Sequence, residues 1–202
     1  GLAAAKDREV SSLVSPSIRW WHGWGPLLVV PPMFLLLVPP ARGNGWVVMW
    51  GLAFSIYCGC KWLTWRRTRV EHGSWSRSLG YLVAWPGLDA EAFLDGHARV
   101  RKPTPRQWAL ALGKLMVGVT LLLATRHVPV DWPTVAGWVG MTGIVMLLHF
   151  GLFDLLSCGW RMRGVDARPL MNRPLAATSV SAFWGQRWNT AFRDLTHRFC
   201  FR

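Results

Sequence analysis

Read for its alternation of apolar and polar positions, the chain divides into four long apolar runs separated by two short polar stretches and one long one, with a second long stretch after the last run. The runs cover about residues 20–38, 45–63, 108–125 and 132–153. Each is close to the ~20 residues that a helix needs to cross the hydrocarbon core of a bilayer. The first has no Lys, Arg or acid between Trp20 and Val38 but carries Pro26, Pro31 and Pro32, so a tilted or broken helix is expected there. Lys114 interrupts the third run, about 10 Å from Trp108 at helical rise, close enough to snorkel to the headgroups. Residues 1–19 are polar and mixed in charge and form the amino-terminal segment, and 20–202 are read as a single membrane domain.

The pattern changes at the carboxyl end, in the segment 170–202. From Ser181, apolar side chains recur at Trp184, Trp188, Ala191, Phe192, Leu195 and Phe199, a helical spacing that puts them on one face. Arg187, Arg193, Asp194, His197 and Arg198 fall on the other side. Such a basic amphipathic helix suits the headgroup region, with Ser179 or Ser181 placed to cap its start. A short interfacial helix is also expected over Asp89–Arg99, after a turn at Trp85-Pro86-Gly87. The expected architecture is all-α and integral to a membrane: four transmembrane helices plus a C-terminal interfacial helix.

Composition agrees with that reading. Apolar residues make up 51% of the chain, and many of its 15 Trp stand at the ends of the apolar runs, where an indole can bury its ring and keep its N–H wet. The formal charge of +13 does not point to nucleic acid, because the basic residues flank apolar runs and no nucleic-acid motif is present. The two short loops hold one arginine each, Arg42 and Arg126. The region Thr64–Gln107 and the tail after Trp160 each hold eight Lys or Arg. The positive-inside rule therefore places the amino terminus and both basic regions in the cytoplasm. Cys58, Cys60, Cys158 and Cys200 lack the paired spacing of a metal site, and no metal is expected.

Two blocks carry a resemblance. Phe183-Trp184-Gly185-Gln186-Arg187-Trp188-Asn189, preceded by Met171-Asn172-Arg173-Pro174-Leu175 and Thr178-Ser179, resembles the Phe-Trp-x-x-x-Trp-Asn signature of the wax synthase-like branch of the membrane-bound O-acyltransferases (MBOAT). Leu79-Gly80-Tyr81-Leu82-Val83-Ala84-Trp85-Pro86-Gly87-Leu88-Asp89 is similar to a loop that these proteins carry upstream. The resemblance implies transfer of an acyl group from acyl-CoA, the donor substrate, to a hydroxyl acceptor, with no cofactor. It makes Trp188 and Asn189 the catalytic candidates, with the Asn189 amide positioned to donate to a developing oxyanion or to hold the acceptor hydroxyl. Phe183 and Trp184 become candidate substrate contacts, and Arg173, Arg187 and Arg193 candidate partners of phosphates, whether of coenzyme A or of anionic lipid. It also places the general-base histidine on a later membrane helix. The 202 residues are therefore expected to be an amino-terminal part, inactive alone and located in a bacterial inner membrane.

His149 lies well inside the fourth run, whereas His22, His72, His97, His127 and His197 lie near run ends or in loops. An intramembrane ionisable group points to function, and three roles fit it: chamber lining, helix packing, or ligation of haem or a chlorophyll-type pigment. The alternative to an enzyme is a non-catalytic transmembrane subunit that packs against other membrane subunits through Trp- and Gly-rich helices. Expected partners are thus membrane lipids, acyl-CoA and a hydroxyl acceptor, or other membrane subunits, and not nucleic acid. Orientation is open to direct test. Externally added thiol reagents should label cysteines introduced at Asn44 and Val130 and leave one at Ser76 untouched; labelling at Ser76 would invert the topology.

Overall fold

The structure, a computed structural model, describes residues 23–38, 45–68, 70 and 74–199. The described residues are helical throughout their ordered elements, with no strand. Three helices are long and apolar enough to cross a membrane: Gly45–Arg66, Pro105–His127 and Pro133–Met162. The first expected span is different. Its described part forms only the 13-residue helix α1, Gly25–Leu37, below the length needed for a crossing on its own. Pro31 and Pro32 lie inside α1 without ending it. The expected amino-terminal segment and the loop residue Arg42 lie outside the described residues.

The chain forms two compact units, 1–67 and 68–202. In the first, α1 packs against α2 (Gly45–Arg66). Two glycines of α2 make the close approach possible: a Cβ at Gly59 would come within 2.7 Å of the Leu27 backbone, and one at Gly51 would strike the Phe34 ring.

The second unit holds the expected signature segments. Helix α3 (Trp75–Ala84) runs into an extended stretch over Trp85–Asp89 and then the five-residue α4 (Ala90–Leu94). The expected turn at Trp85-Pro86-Gly87 is therefore extended backbone, in which Gly87 leaves room for the indole of Trp85 to fold back across it. The expected interfacial helix over Asp89–Arg99 is likewise corrected. The α4 helix is capped by Asp89, whose carboxylate accepts the Ala92 N–H at 3.1 Å, and it is buried through Phe93 and Leu94. Burial wins because Phe93 completes an aromatic cluster with Tyr81, Trp85 and Trp160, at centroid separations of 5.5, 6.1 and 5.0 Å.

Helix α5 (Pro105–Ala124) begins with a capping box in which Thr104 and Gln107 satisfy each other's backbone N–H groups. It packs along the bent 30-residue helix formed by α6 (Pro133–Val145), a π-helical segment at Met146–Leu152, and α7 (Phe153–Met162). Gly118 faces the Leu147 backbone, Gly143 faces Leu122, and Gly151 lies against the Leu115 backbone. Contact of this kind, backbone on backbone through small residues, is how helices associate where lipid offers no hydrophobic drive.

The expected continuous amphipathic helix from Ser181 is broken. Ser179 does cap its start, accepting the Ala182 N–H at 3.0 Å. The chain then makes only α8 (Val180–Ala182) and a π-turn at Phe183–Arg187 before Trp188 turns extended and Asn189 adopts a left-handed φ of 42°. Helix α9 (Thr190–Phe199) begins after this break, so Trp184 and Trp188 do not share a stripe with Ala191 and Leu195. Asn is among the few residues that enter the left-handed region at little cost, and this one gives the break its hinge.

The helix contact gives a stability test. Gly118→Ala forces a methyl onto the Leu147 backbone and should destabilise by about 1–3 kcal/mol. Gly113→Ala, on the same helix with open space at its Cβ, should be neutral or stabilising. Melting temperatures in detergent, followed by retention on size exclusion, would separate the two variants.

Candidate functional site

A cavity of about 650 Å³ opens within the second unit. Its first wall comes from the extended stretch after α3: Trp85, Gly87, Leu88 and Asp89. Its second comes from facing turns of α5 and α7, through Gln107, Leu110 and Lys114 and through Asp154, Cys158 and Arg161. The third comes from Asp166 to Arg173 together with Gln186 and the start of α9. The two blocks singled out in the sequence thus meet at one cavity although α5, α6 and α7 lie between them.

Backbone bonds shape the third wall. The Asn172 N–H donates to the Arg187 carbonyl at 2.8 Å, and the Thr190 N–H donates to the Leu170 carbonyl at 3.1 Å. Residues 170–172 and 187–190 therefore brace each other with the left-handed Asn189 between the two ties. The Asn189 N–H points at the Met171 sulfur, 3.3 Å away. Arg187 reinforces the same brace, its guanidinium donating to the carbonyls of Asn172 and Arg173 at 3.5 and 3.4 Å. The guanidinium is thereby tied to the backbone of the brace.

Charge in the cavity is largely paired. Lys114, expected to reach for the headgroups, donates to Asp154 at 2.9 Å across the α5–α7 contact, with 36% and 17% of the two side chains exposed. The facing helix supplies a carboxylate within hydrogen-bond reach, and an ionisable group within an apolar helix is expected to pair with one. Asp166 binds Arg168 through both oxygens, at 2.7–3.2 Å, and this hydrogen bonding together with the carboxylate's charge holds the Arg168 guanidinium above its ordinary pKa. Arg193 pairs with its neighbour Asp194. Among the described residues, two cations on the cavity wall have no carboxylate partner: Arg161, which contacts Gln107 Oε1 at 3.4 Å and the Cys158 sulfur at 3.6 Å, and Arg173.

Of the residues expected from the sequence, Arg173 and Arg193 line the cavity. Phe183, Trp184, Arg187, Trp188, Asn189 and His149 do not, although Thr190, directly after Asn189, does. Of these, Phe183, Trp184, Trp188 and His149 form a ring cluster beside it. Phe183 stacks with Trp188 at 5.4 Å and 19°, and His149 stacks with Trp188 at 5.9 Å and 23°. Phe150 and Trp184 meet Trp188 edge-on. His149 belongs to the π-helical segment, a bulge geometry found often at functional positions. Sequence reasoning missed Asp154, Arg161, Asp166 and Arg168. Only the pairing of an intramembrane Lys114 with a downstream acid was open to detection, through the expectation that a buried charge has a partner. Among the described residues no cluster of His, Cys, Asp or Glu is arranged to hold a metal.

The Lys114–Asp154 pair predicts a specific pattern of stability. Lys114→Met leaves the Asp154 carboxylate uncompensated and should cost about 3 kcal/mol, the lower end of the range for broken buried pairs because Lys114 is one-third exposed. The double variant Lys114→Met with Asp154→Leu should recover most of that loss. Thermal denaturation of the three variants completes the double-mutant cycle.

Comparison with known proteins adds no name to this geometry: no protein-family model, no characterised protein and no solved structure matches the chain.

Proposed function

We propose that the protein is a membrane-bound acyltransferase of the wax synthase-like kind, which passes an acyl group from acyl-CoA to a hydroxyl acceptor. One observation carries the reading: the upstream loop at Trp85–Asp89 and the signature segment, which resemble the same enzymes, line one cavity although three helices separate them in the sequence. The supporting chemistry is local. In the reaction the acceptor oxygen attacks the thioester carbonyl as a general base takes its proton, the C–S bond breaks, and coenzyme A leaves as a thiolate that takes up that proton from the base to become the free thiol. That base is assigned by resemblance to a later helix. Asn189 stands at the tight brace beside the cavity, where its carboxamide N–H can donate to the oxyanion as charge develops. Trp188, stacked with both Phe183 and His149, holds the backbone next to that residue.

Arg173 and Arg161 take the role of phosphate partners, being the cavity cations without a carboxylate of their own; Arg193 contributes through a charge already shared with Asp194. The reaction is set at the cytoplasmic face of a bacterial inner membrane, where acyl-CoA is available. On the alternative reading, a non-catalytic subunit, the cavity would take no donor.

Asn189→Gly is the sharpest test, because glycine accepts the φ of 42° and leaves the backbone brace intact. Turnover from radiolabelled acyl-CoA to a long-chain alcohol, measured in membranes carrying the full-length protein, should fall by about two to three decades, while the melting temperature holds or rises. Asn189→Ala should lose turnover and also about 1–2 kcal/mol of stability to left-handed strain. Normal turnover in Asn189→Gly would remove the catalytic assignment, and failure of acyl-CoA to protect the wild-type protein against heat would favour the non-catalytic subunit.

A further inference from the structure

Helix α3 has two faces of opposite use. One carries Ser78, Tyr81 and, just beyond its end, Trp85, all buried in the aromatic cluster. The other carries Trp75, Leu79 and Val83, at a spacing of four, with 70%, 46% and 83% of their surfaces exposed. An apolar stripe of this kind on a soluble surface would be a liability, whereas at a bilayer boundary it is an anchor. Where α3 sits decides between these. Its carboxyl end is tied to Trp160, whose indole N–H donates to the Ala84 carbonyl at 3.1 Å and whose ring lies over Gly80. Trp160 is in the last turn of the membrane-length helix Pro133–Met162. Arg77 adds a second tie at the same level, donating to the carbonyls of Leu94 and Gly164 at 3.3 and 3.2 Å. The helix is thus held where a membrane-length helix ends.

Charge at that level is one-sided. Arg99, Arg101, Lys102 and Arg106 are all exposed, no acid lies between His97 and Gln107, and α5 begins at Pro105. Basic residues directly beside a membrane-crossing segment attract anionic headgroups. We propose that α3 is an interfacial anchor: it lies on the bilayer with Trp75, Leu79 and Val83 among the acyl chains, beside an anionic-lipid site formed by Arg99, Arg101 and Lys102. The amphipathic surface helix of this protein is then α3, upstream of the signature, and its docking fixes the depth of the Trp85–Asp89 wall that follows it in the chain. The inference does not depend on acyl transfer.

Photocrosslinking tests it. Full-length protein carrying p-benzoylphenylalanine at Leu79 or Val83 is reconstituted in vesicles of phosphatidylcholine and phosphatidylglycerol, irradiated and weighed intact. Both positions should give adducts of phospholipid mass, as should Leu112 on the exposed face of α5, while Gly96, exposed off the stripe, should give few. Changing Arg99, Arg101 and Lys102 to Gln should lower the phosphatidylglycerol share of the adducts by about fivefold or more. Lipid adducts at Leu112 with none at Leu79 and Val83, or crosslinked dimers in their place, would overturn the anchor. An unchanged phosphatidylglycerol share would overturn the anionic-lipid site.

Discussion

The second unit depends on one contact, the close approach of α5 to the bent helix α6–π–α7. Gly118, Gly143 and Gly151 bring the two backbones to a separation that a single Cβ would prevent. The approach places Lys114 and Asp154 within 2.9 Å of each other and sets Gln107, Leu110 and Arg161 along the same seam. In an apolar medium this packing cannot be driven by the hydrophobic effect, so it rests on dispersion at short range and on the charge pair that the approach allows. The inner wall of the cavity is a consequence of that seam.

The outer walls follow from a different constraint, the satisfaction of backbone groups in a segment that is neither helix nor sheet. Residues 170–172 belong to no helix, and two of their backbone groups pair with Arg187 and Thr190 at the ends of the two helical elements that flank the break. Two left-handed residues, Arg173 and Asn189, allow the chain to turn tightly enough for the pairing to close. The ring stack of Phe183, Trp188 and His149 then fixes the turn to the π-helical segment, so that the signature and the membrane-length helix share one joint.

The aromatic cluster around Phe93 does the same for the upstream loop. Tyr81, Trp85 and Trp160 surround it, and Trp160 also holds the end of α3 through its indole N–H. Tryptophan serves here as a structural joint as much as an interfacial marker. Its large apolar surface fills the cluster, and its single donor finds the carbonyl that a helix end leaves free.

The sequence by itself determined the elements with long, uninterrupted patterns. The runs around 45–63, 108–125 and 132–153 needed only length and hydropathy, and each is a helix long enough to cross a membrane. The cap at Ser179 was legible because N-capping is a local interaction between neighbours in the chain. Whatever depended on distant partners was not legible. The stripe from Trp184 to Phe199 has helical spacing, yet the helix breaks at Asn189 because residues 170–172, distant in sequence, offer the backbone better partners. Asp89–Arg99 resembles a surface helix until Phe93 finds Tyr81 and Trp160. Lys114 within an apolar run has the pattern of a snorkelling lysine, and only the approach of α7 supplies Asp154. Periodicity records which face of a helix is apolar, but the tertiary structure decides what meets that face. Arg161 and Arg168 therefore entered the cavity unannounced, while Trp188 and Asn189 stand beside it.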